Sequence, residues 1–226
     1  MVTELADLPA IEIETGLNPG YTVIWLHGLG ADGNDFVPIV NELEPFCNHK
    51  PVRFIFPHAP ERSVTINNGY IMRAWYDILY PDMDSYQDQA GIGSSQQAID
   101  NLIARELRRG VAPKHIVLAG FSQGGAMALH VGLRQSNQLA GIVALSCYLL
   151  GAESFVSEAS VTNAKIPIFM AHGTYDAVIP LRLATESRNK LLAAHYTVSW
   201  HEYAMAHSVC SQEVVDIGNW LRQIID

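Results

Sequence analysis

His115-Ile116-Val117-Leu118-Ala119 runs directly into Gly120-Phe121-Ser122-Gln123-Gly124-Gly125, and that into the Ala/Met/Leu-rich stretch beginning at Ala126. An apolar, β-branched run followed by G-x-S-x-G and then a helix-forming segment is the pattern of a nucleophile elbow. The sharp strand-to-helix turn forces its serine into a strained conformation, and glycines two residues to either side let the strand and helix backbones approach. The hydroxyl of Ser122 is left exposed over the N-terminus of the helix. The competing interpretation is an ordinary N-cap serine behind a glycine turn.

Working outward, short apolar runs alternate with helical patterns along the whole chain. Tyr21–Leu26, Val52–Phe56, His115–Ala119, Gly141–Ser146, Ile166–Ala171 and Tyr196–Tyr203 are predicted strands, most of them continuously apolar. Continuous apolarity marks parallel strands covered on both faces. Ser94–Arg109, Ser122–Gln135, Leu181–Ala194 and Ser211–Ile225 are predicted helices, with Gly110 and Pro113 ending the first and Pro180 opening the third. The fold class is therefore α/β, a mostly parallel sheet with helices on both faces. No repeat, low-complexity tract or linker divides the 226 residues, so one domain spanning 1–226 is expected. Between Pro57 and Gly93 no period is apparent, yet the stretch holds Tyr70, Ile71, Met72, Trp75, Tyr76, Ile78, Leu79, Tyr80, Met83 and Tyr86. So many large apolar side chains outside the sheet need a partner. The segment is expected to be a loop-rich, mobile flap over Ser122 that sets acyl-chain preference, or a surface for a second subunit, with a permanently packed loop as the alternative.

A serine hydroxyl is a weak nucleophile at neutral pH and requires a base and an orienting acid, which follow an elbow serine along the chain. Of the carboxylates after Ser122, only Asp176 lies just past the C-terminal end of a strongly apolar strand, where open α/β sheets build their sites. Glu186 and Glu202 read as solvated charges. Of the later histidines, His195 ends a helix and His201 lies within a strand, whereas His207 occupies a short loop from which it can address both Ser122 and Asp176. The loop after the first strand, His27-Gly28-Leu29-Gly30-Ala31-Asp32-Gly33, has two chemical readings. As G-x-G-x-x-G it matches a dinucleotide fingerprint, making a nicotinamide-dependent oxidoreductase the alternative, but the acid required at the end of the second strand is missing and position 53 is Arg. As H-G-x-G it supplies an oxyanion-hole amide from Leu29, paired with that of Gln123.

Composition excludes other classes. Hydrophobic residues make up 49% and charged residues 16%, too apolar for a disordered chain. A net charge of −9, with no basic run longer than Arg108-Arg109, argues against nucleic acid as a partner. The longest apolar stretch, Leu139–Ala152, is too short to span a bilayer. Met1–Asp7 carries no signal core or lipidation motif, so a cytoplasmic location is expected. Cys47, Cys147 and Cys210, odd in number and far apart, read as reduced thiols. No metal-ligand spacing occurs and no metal is expected.

On these residues the chain resembles the bacterial carboxylesterase and acyl-protein thioesterase (lysophospholipase-like) family of α/β-hydrolases. The resemblance is carried by six blocks in order: Leu26–Phe36, Phe56–Pro60, Met72–Asp77, the elbow, His172–Asp176 and His207-Ser208. It implies an α/β-hydrolase fold and a triad of Ser122, Asp176 and His207, with Leu29 and Gln123 as oxyanion donors. It further implies a wall of the acyl groove around Trp75, where Ile71 and Met72 are the other expected substrate contacts. Such enzymes cleave esters or thioesters of fatty acids without a cofactor, on small esters, lysophospholipids or acylated proteins, and several are homodimers. A hydrolase-fold binding protein without activity is the remaining alternative, although such proteins usually lose a triad residue and this one keeps all three.

Overall fold

The computed structural model describes residues 8–80 and 87–225; Met1–Asp7, Met83 and Tyr86 lie outside the described residues. Nine strands are present among them: β1 (Ala10–Glu14), β2 (Tyr21–Leu26), β3 (Val52–Pro57), β4 (Glu61–Val64), β5 (Tyr70–Arg73), β6 (Ile116–Phe121), β7 (Gly141–Leu145), β8 (Ile168–Gly173) and β9 (Val198–Tyr203). The helices are α1 (Ile39–Leu43), α2 (Gln89–Arg108), α3 (Gln123–Arg134), α4 (Phe155–Glu158), α5 (Leu181–Ala193) and α6 (Ser211–Ile224). Seven strands form one sheet in the order β1-β3-β2-β6-β7-β8-β9. All neighbours pair parallel except β1, which runs antiparallel along the edge of β3.

The side-chain alternation of the strands divides the core into two layers. Ile24, Leu26, Ile55, Leu118, Ile142 and Met170 point to one face, where α2, α3 and α5 bring Ile99, Leu102, Met127, Leu129, Leu183 and Leu191. Val23, Trp25, Phe54, Val117, Val143 and Phe169 point to the other, covered by Leu43 of α1 and Ile217, Trp220 and Leu221 of α6. Each large side chain so buried contributes roughly 1.5–3 kcal/mol.

All six expected strands are present with ends displaced by no more than two residues, but three further strands were not expected. β1 carries the period-two signal Ala-Ile-Glu-Ile-Glu, the mark of an edge strand with one face packed. The others, β4 and β5, form a separate antiparallel hairpin inside the stretch that has no period in sequence. Beyond the hairpin, Ala74, Trp75 and Tyr76 are buried rather than spread over the surface. Helix α2 begins five residues earlier than Ser94, because Asp88 caps it by accepting from the Gly91 amide at 2.9 Å. The glycines at 91 and 93 hid that first turn.

Candidate active site

The elbow forms as its glycines require. Ser122 has φ 56° and ψ −122°, in the left-handed region that costs an L-residue of order 1–3 kcal/mol. It is held there by its amide donating to Leu145 O at 2.8 Å and by its carbonyl accepting from the Ala126 amide at 3.0 Å. A methyl group at Gly124 would lie 2.2 Å from the carbonyl oxygen of Leu26, so only glycine lets α3 start this close to β2. Asp176 lies just beyond β8, and His207 in the loop between β9 and α6. The two loops are laced together, with the Thr174 amide donating to Tyr203 O at 2.8 Å and the Tyr175 amide to Met205 O at 3.0 Å. Gly173 permits this approach, since a Cβ there would sit 2.4 Å from both Met205 O and Ala206 O.

Three residues distant in sequence thereby meet. His207 Nδ1 lies 2.6 Å from Asp176 Oδ2, and its Nε2 lies 2.8 Å from Ser122 Oγ. With the carboxylate on one side and the hydroxyl on the other, Nδ1 carries the proton and Nε2 accepts from the serine. Asp176 is anchored through its other oxygen, which accepts from the amides of Val178 and Ile179, both at 2.9 Å. Its carboxylate is wholly buried while the histidine side chain remains partly open. The Phe121 ring packs against the imidazole at 4.7 Å between centroids.

Behind Asp176 lies a second, fully buried histidine that sequence analysis gave no role. His172 Nε2 donates to Ile179 O at 2.8 Å and stands 3.4 Å from Asp176 Oδ2. Burial holds its pKa below the usual histidine value, keeping it neutral beside the acid. Its signal in sequence was only its place at the end of a buried strand, four residues before Asp176. Glu186 pairs with Arg182, Glu202 accepts from Trp200 Nε1, and His201 stacks on Phe169, so these three belong to the surrounding structure.

On the other side of Ser122, the exit of β2 supplies Gly28 and Leu29. The turn is locked by His27, whose Nδ1–H donates to Gly28 O at 2.7 Å and whose Nε2 accepts from the Ala59 amide at 3.0 Å. This is a neutral imidazole, and burial lowers its pKa accordingly. Among the described residues no hydrogen bond engages the Leu29 amide. The Gln123 amide, first in α3, has no partner within the helix either. Both residues and Ser122 line one cavity of about 320 Å³, together with Tyr76, Ile78, Phe121, Tyr148, Val178, Ile179 and His207. Asp35 lies at the same cavity, where burial and the neighbouring Asp32 raise its pKa.

The expected acyl contacts are placed differently. Ile71 is 65% exposed on the hairpin, Trp75 is fully buried, and neither they nor Met72 line the cavity. Tyr76 and Ile78, next along the chain, line it instead. The difference is one of register: in a stretch without periodicity, nothing in the sequence tells which of neighbouring aromatics faces inward. The dinucleotide alternative also fails on geometry. The first helix after Gly28, Gly30 and Gly33 is the five-residue α1, which begins only at Ile39, so no helix N-terminus meets the loop to receive a pyrophosphate.

Comparison with known proteins agrees with this architecture. The profile of a family described as phospholipase/carboxylesterase matches residues 10–225. Acyl-protein thioesterase 1 of Yarrowia lipolytica is 38% identical over 96% of this chain and 97% of its own. Its counterpart in Neurospora crassa is 37% identical over 98% and 94%. Among solved structures, SOBER1 of Arabidopsis thaliana superposes with a TM-score of 0.85 at 28% identity, covering 91% of this chain and 99% of its own. Acyl-protein thioesterase 2 of Zea mays does so with a TM-score of 0.85 at 25% identity, covering 97% and 100%. The match takes in every strand of the main sheet, and the chain belongs to the phospholipase/carboxylesterase family: it is a serine hydrolase of esters or thioesters on the α/β-hydrolase fold.

Proposed function

We propose that the chain, as one catalytic domain, hydrolyses esters or thioesters of acyl chains through an acyl-enzyme on Ser122. The observation that carries this is the hydrogen-bonded row Asp176–His207–Ser122 opening into an apolar cavity. Ser122 Oγ attacks the carbonyl carbon while His207 Nε2 takes its proton, and Asp176 holds the imidazole in the tautomer that can accept it. The charge developing on the carbonyl oxygen is met by the amides of Leu29 and Gln123. Collapse of the tetrahedral intermediate expels the alcohol or thiol, which leaves with the proton from His207. Water, giving a proton to the same histidine, then attacks the acyl-serine, and that proton passes from His207 to Ser122 Oγ as the acid departs. No step calls for a cofactor or metal.

The substrates best supported are medium-chain acyl groups on a protein thiol or a lysolipid, because acyl-protein thioesterases are the relatives at 38% and 37% identity and the cavity wall is apolar. No helix among the described residues is long and apolar enough to cross a membrane, so substrate would be met from the aqueous side or at a lipid surface. A p-nitrophenyl ester and acyl-thioester series from acetyl to dodecanoyl tests the proposal. Each methylene buried adds about 0.8 kcal/mol, so kcat/KM should rise by up to about fourfold per methylene until the cavity is filled. Ile78→Ala should flatten that rise and Ile71→Ala should not. A flat series in the unaltered protein, or no turnover of either class, would contradict it.

A further inference from the structure

Trp75 and the side chain of Gln123 have unusually complete polar engagement for groups beside an apolar cavity. Gln123 Oε1 accepts from the Trp75 amide at 2.8 Å, and Gln123 Nε2 donates to Tyr76 O at 2.7 Å. The indole Nε1–H of Trp75 donates to His27 O at 2.9 Å, and its carbonyl accepts from Ser95 Oγ on α2. Two residues earlier in the same strap of chain, residues 73–76, Arg73 O accepts from the Gly30 amide at 2.9 Å. The segment 73–76 is thus bonded on one side to the β2 exit, on both flanks of Leu29, and on the other to the residue that follows the nucleophile.

Resting on the assignment of the Leu29 and Gln123 amides as oxyanion donors, we infer that Trp75 and the Gln123 side chain form a brace that fixes the spacing of those two amides. The donors belong to different elements, the loop after β2 and the start of α3, which the sheet joins only as far as the pairing of Leu26 with Gly120. Beyond that pair no ladder bond holds the loop against the helix. Oxyanion stabilisation depends on donors already in place when charge develops, and a misplacement of about 1 Å can cost on the order of 10²-fold in rate. The brace supplies the missing constraint from a third segment. Trp75 is then a positioning residue and not a wall for the acyl chain, which is consistent with its complete burial away from the cavity.

The two roles separate experimentally. Trp75→Phe keeps the aromatic bulk and removes the bond to His27 O; Gln123→Met keeps the length and removes both bonds to the strap. For each variant, kcat and KM are measured on acetyl, butyryl and octanoyl esters, with affinity for a short alkyl boronic acid, which forms a tetrahedral adduct on serine. The brace requires kcat to fall about 10- to 100-fold by the same factor at every chain length, KM to stay within about twofold, and boronate affinity to fall with kcat. Unchanged kcat and boronate affinity in both variants, or a loss confined to long chains, overturns the inference. If Trp75→Phe does not fold, Gln123→Met alone decides. Ser122→Ala measured in parallel keeps the two claims apart: activity retained there refutes the serine mechanism itself, whereas an inactive Ser122→Ala beside fully active Trp75→Phe and Gln123→Met variants refutes only the brace.

Discussion

Asp176 shows how much of one residue's chemistry is decided by its neighbours. One carboxylate oxygen is committed to two backbone amides and the other to His207, and this arrangement supports its proposed role as the orienting acid. Asp176→Asn keeps the shape and the amide contacts to its carbonyl oxygen. Its NH₂ group, however, would face Nδ1 and favour the tautomer with the proton on Nε2, which cannot accept from Ser122. We expect a folded protein with kcat lower by about 10⁴-fold, checked by steady-state kinetics beside circular dichroism. A rate near that of the unaltered protein would move the acid elsewhere, with Glu202 the next carboxylate to examine. At this scale the meeting of Ser122, His207 and Asp176 was legible, because the elbow motif names Ser122 and the strand-end position singles out Asp176. The bonds of Gln123 to Trp75 and Tyr76 were not, because they join residues nearly fifty positions apart and leave no local pattern.

At the scale of elements, legibility followed periodicity. Buried parallel strands announce themselves as apolar runs, and Tyr21–Leu26 matches β2 end to end. The β4–β5 hairpin did not, because its burial pattern is mostly exposed or intermediate and lacks clean alternation. Helix α6 carries a further consequence. Glu213, in its first turn, is fully buried, and burial together with the neighbouring Asp216 pushes its pKa up to about 8. A carboxyl whose folded pKa lies above its unfolded value stabilises the fold fully below the unfolded value, near pH 4.5, and loses that contribution as pH rises toward 8. Glu213→Gln should therefore leave Tm nearly unchanged at pH 4 to 5 and raise it by several degrees at pH 8 to 9. Scanning calorimetry across that range checks the sign. A variant less stable than the unaltered protein at pH 9 would mean that the ionised carboxylate has a stabilising partner.

For the whole molecule, the parallel sheet gathers at one edge the loop after β2, the elbow after β6, Asp176 after β8 and His207 after β9. The alternation of strands and helices made that edge legible from sequence, while the cavity wall depended on how the hairpin and its strap pack. Electrostatics at the same edge carries a prediction. The protein bears a net charge of −9, Asp35 lines the cavity, and no Lys or Arg among the described residues does so. Thioesters with a polyphosphate leaving group should react more slowly than neutral thioesters of the same acyl chain, and added salt should narrow the gap. Equal rates at low salt would show that the leaving group stays outside this field. The central claim is that one serine carries the acyl group. It is tested most directly by treating the protein with a fluorophosphonate and mapping the modified peptide by mass spectrometry, with Ser122→Ala alongside. The account predicts a single adduct on Ser122, loss of activity in step with labelling, and neither label nor turnover in Ser122→Ala, whose kcat falls by about 10⁴- to 10⁶-fold. An adduct on another residue, or turnover persisting in Ser122→Ala, would contradict it.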